Sequence, residues 1–237
     1  MNVQENVIQP DPTLVDRVVA VFASLSQALR SKKPEELAGE ADDLLNPMGF
    51  AIRTLDAYRT SRGGAAYTDA KTGMVMVDPK VLNMPPNEQK SILSHELVHR
   101  GQVLRVHHRG NFKAFMQRRH WTDKPSNARD RQLTYHADPY ELMAYARDMI
   151  DELSRAQSKR EVLDTLRSLG HYKTVTKDGH SLTSNENVPS SAAKRYIRMV
   201  RSQNPAAWNK FLRYAFGYAM ELPDEHAARV AEALLED

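Results

Sequence analysis

His95 and His99 bracket the stretch of this chain whose residue types and spacing suit a defined chemistry. The stretch reads His95-Glu96-Leu97-Val98-His99 and lies in a helix-compatible run over residues 89–104. Residues four apart share one face of a helix, so both imidazoles can aim at one point with Glu96 beside them. Two neutral imidazoles suit Zn²⁺, and a carboxylate next to a metal-bound water is placed to take its proton. The same five-residue pattern also arises on helices without a metal, as a pair of solvated or core histidines. The rest of the chain must therefore supply a third ligand, a scaffold that excludes water and a surface for substrate.

A catalytic zinc site takes three protein ligands and keeps one position open. The chain has no cysteine, which removes thiolate ligands, disulfides and a thiol nucleophile together. The extended metzincin pattern needs Gly and His three and six residues after the second histidine, and Gln102 and Arg105 stand there instead. A carboxylate or a distant histidine is left. Glu141 is the first choice, near the start of a helix that Asp138 and Pro139 open over residues 138–156, with Leu142, Ala146, Met149 and Leu153 as its apolar stripe. Tyr145 and Asp148 project on the side of Glu141, and the small Ala144 lets another helix approach. Glu141 also stands three residues after Asp138, the spacing of a capping box, so it can equally serve the helix backbone. His136 is the other candidate ligand. Asp148 could accept from the second ring nitrogen of a ligating histidine, although a solvated helix carboxylate is the preferred reading. His107 and His108, neighbours that a helix would point about 100° apart, read as loop histidines. Trp121 and Trp208 read as core or interface anchors.

Several elements must hold these residues in place. Apolar residues at spacings of three and four mark an amphipathic helix over residues 12–30, and a second short helix covers 35–45. The period then changes. Residues 50–55 alternate, 64–68 are short and extended, and 73–77 are rich in β-formers, with Asp69-Ala70-Lys71-Thr72-Gly73 as turn chemistry between the last two. Pro86 is placed to open the helix that carries the histidines. Later come a short helix over 112–121, a helix over 159–169 that stops at Gly170, and a small hairpin over 172–182. Helices over 191–202, 205–219 and 223–235 complete the chain.

A hairpin, then His95-Glu96-Leu97-Val98-His99, then Asp138-Pro139-Tyr140-Glu141-Leu142-Met143-Ala144 resembles the small gluzincin-type zinc metallopeptidases over roughly residues 50–155. More weakly, the chain resembles metallopeptidase-like proteins encoded by bacteriophages, some carried in virions. The first resemblance implies that His95, His99 and Glu141 bind Zn²⁺ and that Glu96 is the general base in peptide-bond hydrolysis. It also implies that the strand of Met74, Val75, Met76 and Val77 is the edge along which a peptide or protein substrate lies. The chain departs from thermolysin-like enzymes in a longer interval between motifs and no evident downstream catalytic histidine. His136, Tyr67, Tyr135, Tyr140 or Tyr145 is left as the candidate oxyanion or outer-sphere group.

The expected fold class is α+β and mostly helical. A zincin-like core carries a small antiparallel sheet packed on the HExxH helix, and a helical C-terminal region follows. The expected divisions are residues 1–48, 49–156 and 157–237. No apolar run approaches the roughly 18 residues a membrane span requires, and the first residues lack a secretory signal's basic and apolar regions. The expected location is the cytoplasm, or a virion if the chain is phage-encoded. The net charge of +3 is modest, but basic residues crowd 100–131. A solvated face is the plainer account of them and a nucleic-acid or acidic-peptide groove the sharper one. Two rivals to the peptidase therefore stand: a zincin-fold structural protein without catalysis, and a nucleic-acid-associated module.

Overall fold

Asp11 opens the first helix by accepting from the backbone N–H groups of Thr13 at 2.9 Å and Leu14 at 3.3 Å. The helix, α1, spans Pro12–Ala28 and buries Val15, Val18, Phe22 and Leu25, one stripe at helical spacing. α2 follows over Pro34–Leu45, and a 3₁₀ turn over Asn46–Met48 delivers the chain to the sheet. The computed structural model describes residues 7–28, 34–55, 65–110, 138–171 and 204–224. The chain divides into two compact units, Ile8–Trp121 and Thr122–Asp237, the latter joined by Met1–Val7.

In the first unit three short strands form one sheet: β1 (Phe50–Ile52), β2 (Ala66–Thr68) and β3 (Val75–Val77). Their spatial order is β1-β3-β2. β2 and β3 are the expected hairpin, with Thr68 opposite Val75 and Ala66 opposite Val77. Its turn is built by Asp69, whose carboxylate accepts from the backbone N–H of Lys71 and from both the N–H and the hydroxyl of Thr72. Gly73 closes the turn at a φ of 72°, a left-handed value that glycine adopts without strain. β1 runs parallel to β3, with Phe50 opposite Val75. The sheet is therefore mixed, which corrects the antiparallel expectation. β2 runs opposite to both of its companions, so the chain reverses between β1 and β2 and again at the hairpin turn, and two reversals set β3 parallel to β1.

Asp78 caps a 3₁₀ turn over Pro79–Asn83, accepting from the N–H of Lys80. Pro86 then occupies the first turn of α3, Pro86–His108. Gln89 of α3 donates to the carbonyls of Val81 and Leu82, which fixes the angle at which the helix enters. Gly110, at a φ of 68°, follows the helix end, where its N–H donates to the carbonyl of His107. α3 thus reaches His107 and His108, which the sequence reading placed in a loop. Val18 and Phe22 of α1, Phe50, Val75 and Val77 of the sheet, and Leu93 and Leu97 of α3 share one core. Each large side chain withdrawn there contributes about 1.5–3 kcal/mol. That shared core is why the N-terminal helices pack with the sheet and α3.

The described part of the second unit is helical. α4 spans Pro139–Ser154, α5 Lys159–His171 and α6 Pro205–Met220. Asp138 caps α4 by accepting from the N–H of Tyr140 at 2.8 Å, as its sequence suggests. Leu142, Ala146, Met149 and Leu153 are buried along α4, and α6 buries Trp208 stacked on Phe211. Arg147 pairs with Asp151 one turn on, and its guanidinium also lies over the ring of Tyr218, joining α4 to α6. α5 runs through Gly170 to His171 rather than stopping at the glycine. α4, α5 and α6 fall in the same unit. The expected helices over 112–121, 191–202 and 223–235, the hairpin over 172–182, and Trp121, Tyr135 and His136 lie outside the described residues. Among the described residues no helix is long and apolar enough to cross a membrane.

Candidate metal centre

α3 buries more than its apolar stripe. Gln89, Ser94, Glu96, His99 and Gln102 are all buried on it, a polar load unusual for a core helix. Buried polar groups are retained where hydrogen bonds or ligands compensate their lost water. Here the compensation is specific at each of the three positions around the motif.

His95 and His99, one turn apart, bring their Nε2 atoms to 3.1 Å, with ring planes at 74°. The Nδ1 of His99 lies 2.9 Å from Oε1 of Gln102. An amide oxygen only accepts, so this contact places the ring proton on Nδ1 and leaves the Nε2 lone pair for a ligand. Glu96 lies on the side of α3 that faces the sheet. Its Oε2 accepts from the hydroxyl of Thr68 on β2 at 2.8 Å, and both residues are buried.

One ligand atom from each of His95, His99 and Glu141 lies within 4.8 Å of the other two. His99 and Glu141 are buried and His95 half-buried. Tetrahedral ligands about 2.0–2.1 Å from a zinc ion stand about 3.3 Å apart, close to the separation of the two Nε2 atoms. Two imidazoles and a carboxylate are also the donor set that zinc accepts without cysteine. The residues present fit the ion.

Other expectations fare unevenly. Asp148 is buried on α4, not solvated as preferred from sequence, and stands two turns beyond Glu141 with Tyr145 between them. Tyr140 and Tyr145 are half-buried on α4, and Tyr67 is half-buried on β2. The stretch Met74-Val75-Met76-Val77 is not a sheet edge. β3 is the central strand, its backbone groups bonded to β1 on one side and β2 on the other, so no row of them is left for a substrate. Arg100, counted in the basic run, turns inward: it donates to the carbonyl of Met48 at 2.7 Å, and burial lowers its pKa from the ordinary value. His107 instead donates from Nε2 to the carbonyl of Ala70, 3.1 Å away in the hairpin turn.

Two residues escaped the sequence reading. Gln102 stands in the sequence only as the position where the metzincin pattern fails, but three residues after His99 it is a helical neighbour of that ring, a spacing that points to it. Thr68 gives no such signal, because 28 residues separate it from Glu96.

No protein-family model matches the chain, and comparison with curated proteins and with solved structures likewise gives no match.

Proposed function

We propose that this chain is a zinc-dependent hydrolase of peptide bonds, with His95, His99 and Glu141 as ligands and Glu96 as general base. The observation that carries the reading is the convergence of ligand atoms from those three residues within 4.8 Å. The bond from His99 Nδ1 to Gln102 adds to it, since ligating histidines regularly donate their second nitrogen to an acceptor. An ion bound there supplies electrophilic activation of a carbonyl and of water.

The chain's own residues do the rest. Glu96, with Oε2 committed to Thr68, keeps Oε1 to take the proton of the attacking water and return it to the leaving amine. Burial of Glu96 and His99 limits bulk water at the reacting atoms. The central position of β3 moves the substrate edge to β2, which among the described residues pairs with β3 alone. A peptide added to β2 would run beside Thr68 and Glu96, aligned by main-chain hydrogen bonds.

The test is zinc per chain by elemental analysis, on wild type and on His95→Ala, Glu96→Gln and Glu141→Ala. About one zinc in wild type, kept in Glu96→Gln and lost from the other two, is the expected result for three ligands and a free base. A wild-type chain that takes up no zinc overturns the reading.

A further inference from the structure

The carboxylate of Glu96 does not hang free from its helix. The hydroxyl of Thr68 reaches Oε2 of Glu96 at 2.8 Å and the carbonyl oxygen of the same residue at 2.9 Å. Thr68 is 5% exposed and Glu96 8%, so bulk water does not supply this contact in its place. One hydroxyl carries one proton, and of two acceptors at equal reach the charged carboxylate binds it more strongly.

Thr68 is itself held firmly. It ends β2, paired with Val75 of the central strand. The next residue, Asp69, begins the hairpin turn, where its N–H donates to the carbonyl of Met74 and its carbonyl accepts from Gly73. A β-branched side chain in a strand has few rotamers, so the backbone largely sets where this hydroxyl points. At the start of the same turn, His107 ties Ala70 to α3. The helix and the hairpin are thus joined at Glu96 and again at His107.

From this geometry we infer that Thr68 is a positioning residue for Glu96: its hydroxyl fixes one carboxylate oxygen so that the other is presented to the reacting water. The inference rests on the hydrolase reading above, and it concerns the Thr68 side chain, whose hydroxyl bonds Glu96 rather than metal or substrate. Valine matches threonine in shape without the hydroxyl, and serine keeps the hydroxyl without the methyl. A purely packing role would make valine the harmless substitution. A positioning role makes serine the harmless one.

The experiment uses the full chain, with the side-chain carboxyl carbons of glutamate labelled with ¹³C. At neutral pH and with metal stripped by chelator, the Glu96 resonance is assigned by its loss in Glu96→Gln. It is expected to move in Thr68→Val and to stay in Thr68→Ser. In wild type the Thr68 hydroxyl proton is expected to exchange slowly enough to be detected, and a rapidly exchanging hydroxyl overturns the inference even if Thr68→Val does not fold. With zinc restored and fluorescein-labelled casein as probe, kcat of Thr68→Val is expected to fall about ten- to hundredfold with KM and zinc content unchanged. Thr68→Ser is expected to keep the wild-type rate. An unmoved resonance, or full turnover in Thr68→Val, overturns the assignment of Thr68 whatever the zinc content. A chain that takes up no zinc overturns the hydrolase reading whatever the resonance does, so the two failures are distinct.

Discussion

The hydroxyl of Thr68 on β2 lies 2.8 Å from the carboxylate of Glu96 on α3, and both side chains are buried. Sheet and helix therefore meet through a polar bond as well as through their shared apolar core. Removing the donor while keeping the shape leaves a buried carboxylate short of a hydrogen bond. Thr68→Val is expected to lose about 1–3 kcal/mol of unfolding free energy, read from urea denaturation of the metal-free chain. Stability equal to wild type would mean that water replaces the hydroxyl.

Gln102 is expected to act on metal affinity rather than on the fold. Its Oε1 accepts from Nδ1 of His99, which keeps that ring in the tautomer with Nε2 open. Gln102→Met retains length and apolar bulk but removes the acceptor. Zinc affinity, measured by competition with a chromogenic chelator, is expected to weaken about 10- to 100-fold. An unchanged affinity would rule out Gln102 as a support for the ligand.

Gly49 should not tolerate a side chain. Its φ is 85°, and a Cβ built there would overlap the guanidinium of Arg100, which donates to the neighbouring carbonyl of Met48. The left-handed backbone alone costs a non-glycine residue about 1–2 kcal/mol. Gly49→Ala is expected to lose at least about that much in a thermal or urea melt, since Arg100 must also move. A variant as stable as wild type would show that the turn before β1 readjusts freely.

Asp69 should give the first unit part of its acid sensitivity. Burial pushes its pKa up, but the hydroxyl and N–H of Thr72 and the N–H of Lys71 outweigh burial and hold it below the ordinary value of 3.8. A carboxyl whose folded pKa is depressed contributes stability that is fully present above its unfolded pKa and fades as pH falls through the folded one. The contribution should therefore be intact at neutral pH and lost below about 3.8. In Asp69→Asn the urea midpoint is expected to fall less steeply over that acid range than in wild type. Parallel acid limbs for the two chains would count against this.

Much of the scaffold was legible locally. α1 followed from apolar spacing, and the β2–β3 hairpin from an Asp-to-Gly turn between β-rich runs. The start of α3 was marked by Pro86, and the start of α4 by Asp138 and Pro139. Caps, turns and stripes are written within a few residues of where they act, so a single sequence carries them. The partner of β1 was not written that way. Its parallel pairing with β3 depends on a connection closed over some twenty residues, and it turned the expected substrate edge into the central strand. Likewise Asp148 shows one helical position from sequence, but its burial is set by what packs against that helix.

By itself the sequence determined that any metal site must be built without cysteine, and that His95, Glu96 and His99 would share one helix one turn apart. Those are consequences of composition and of the 3.6-residue helical period. Only the tertiary structure decided that Glu141 comes within 4.8 Å of both histidines, that Thr68 bonds Glu96, and that β3 is enclosed. Each of those joins residues far apart along the chain, and such distances are set by how elements pack rather than by the order in which they are written.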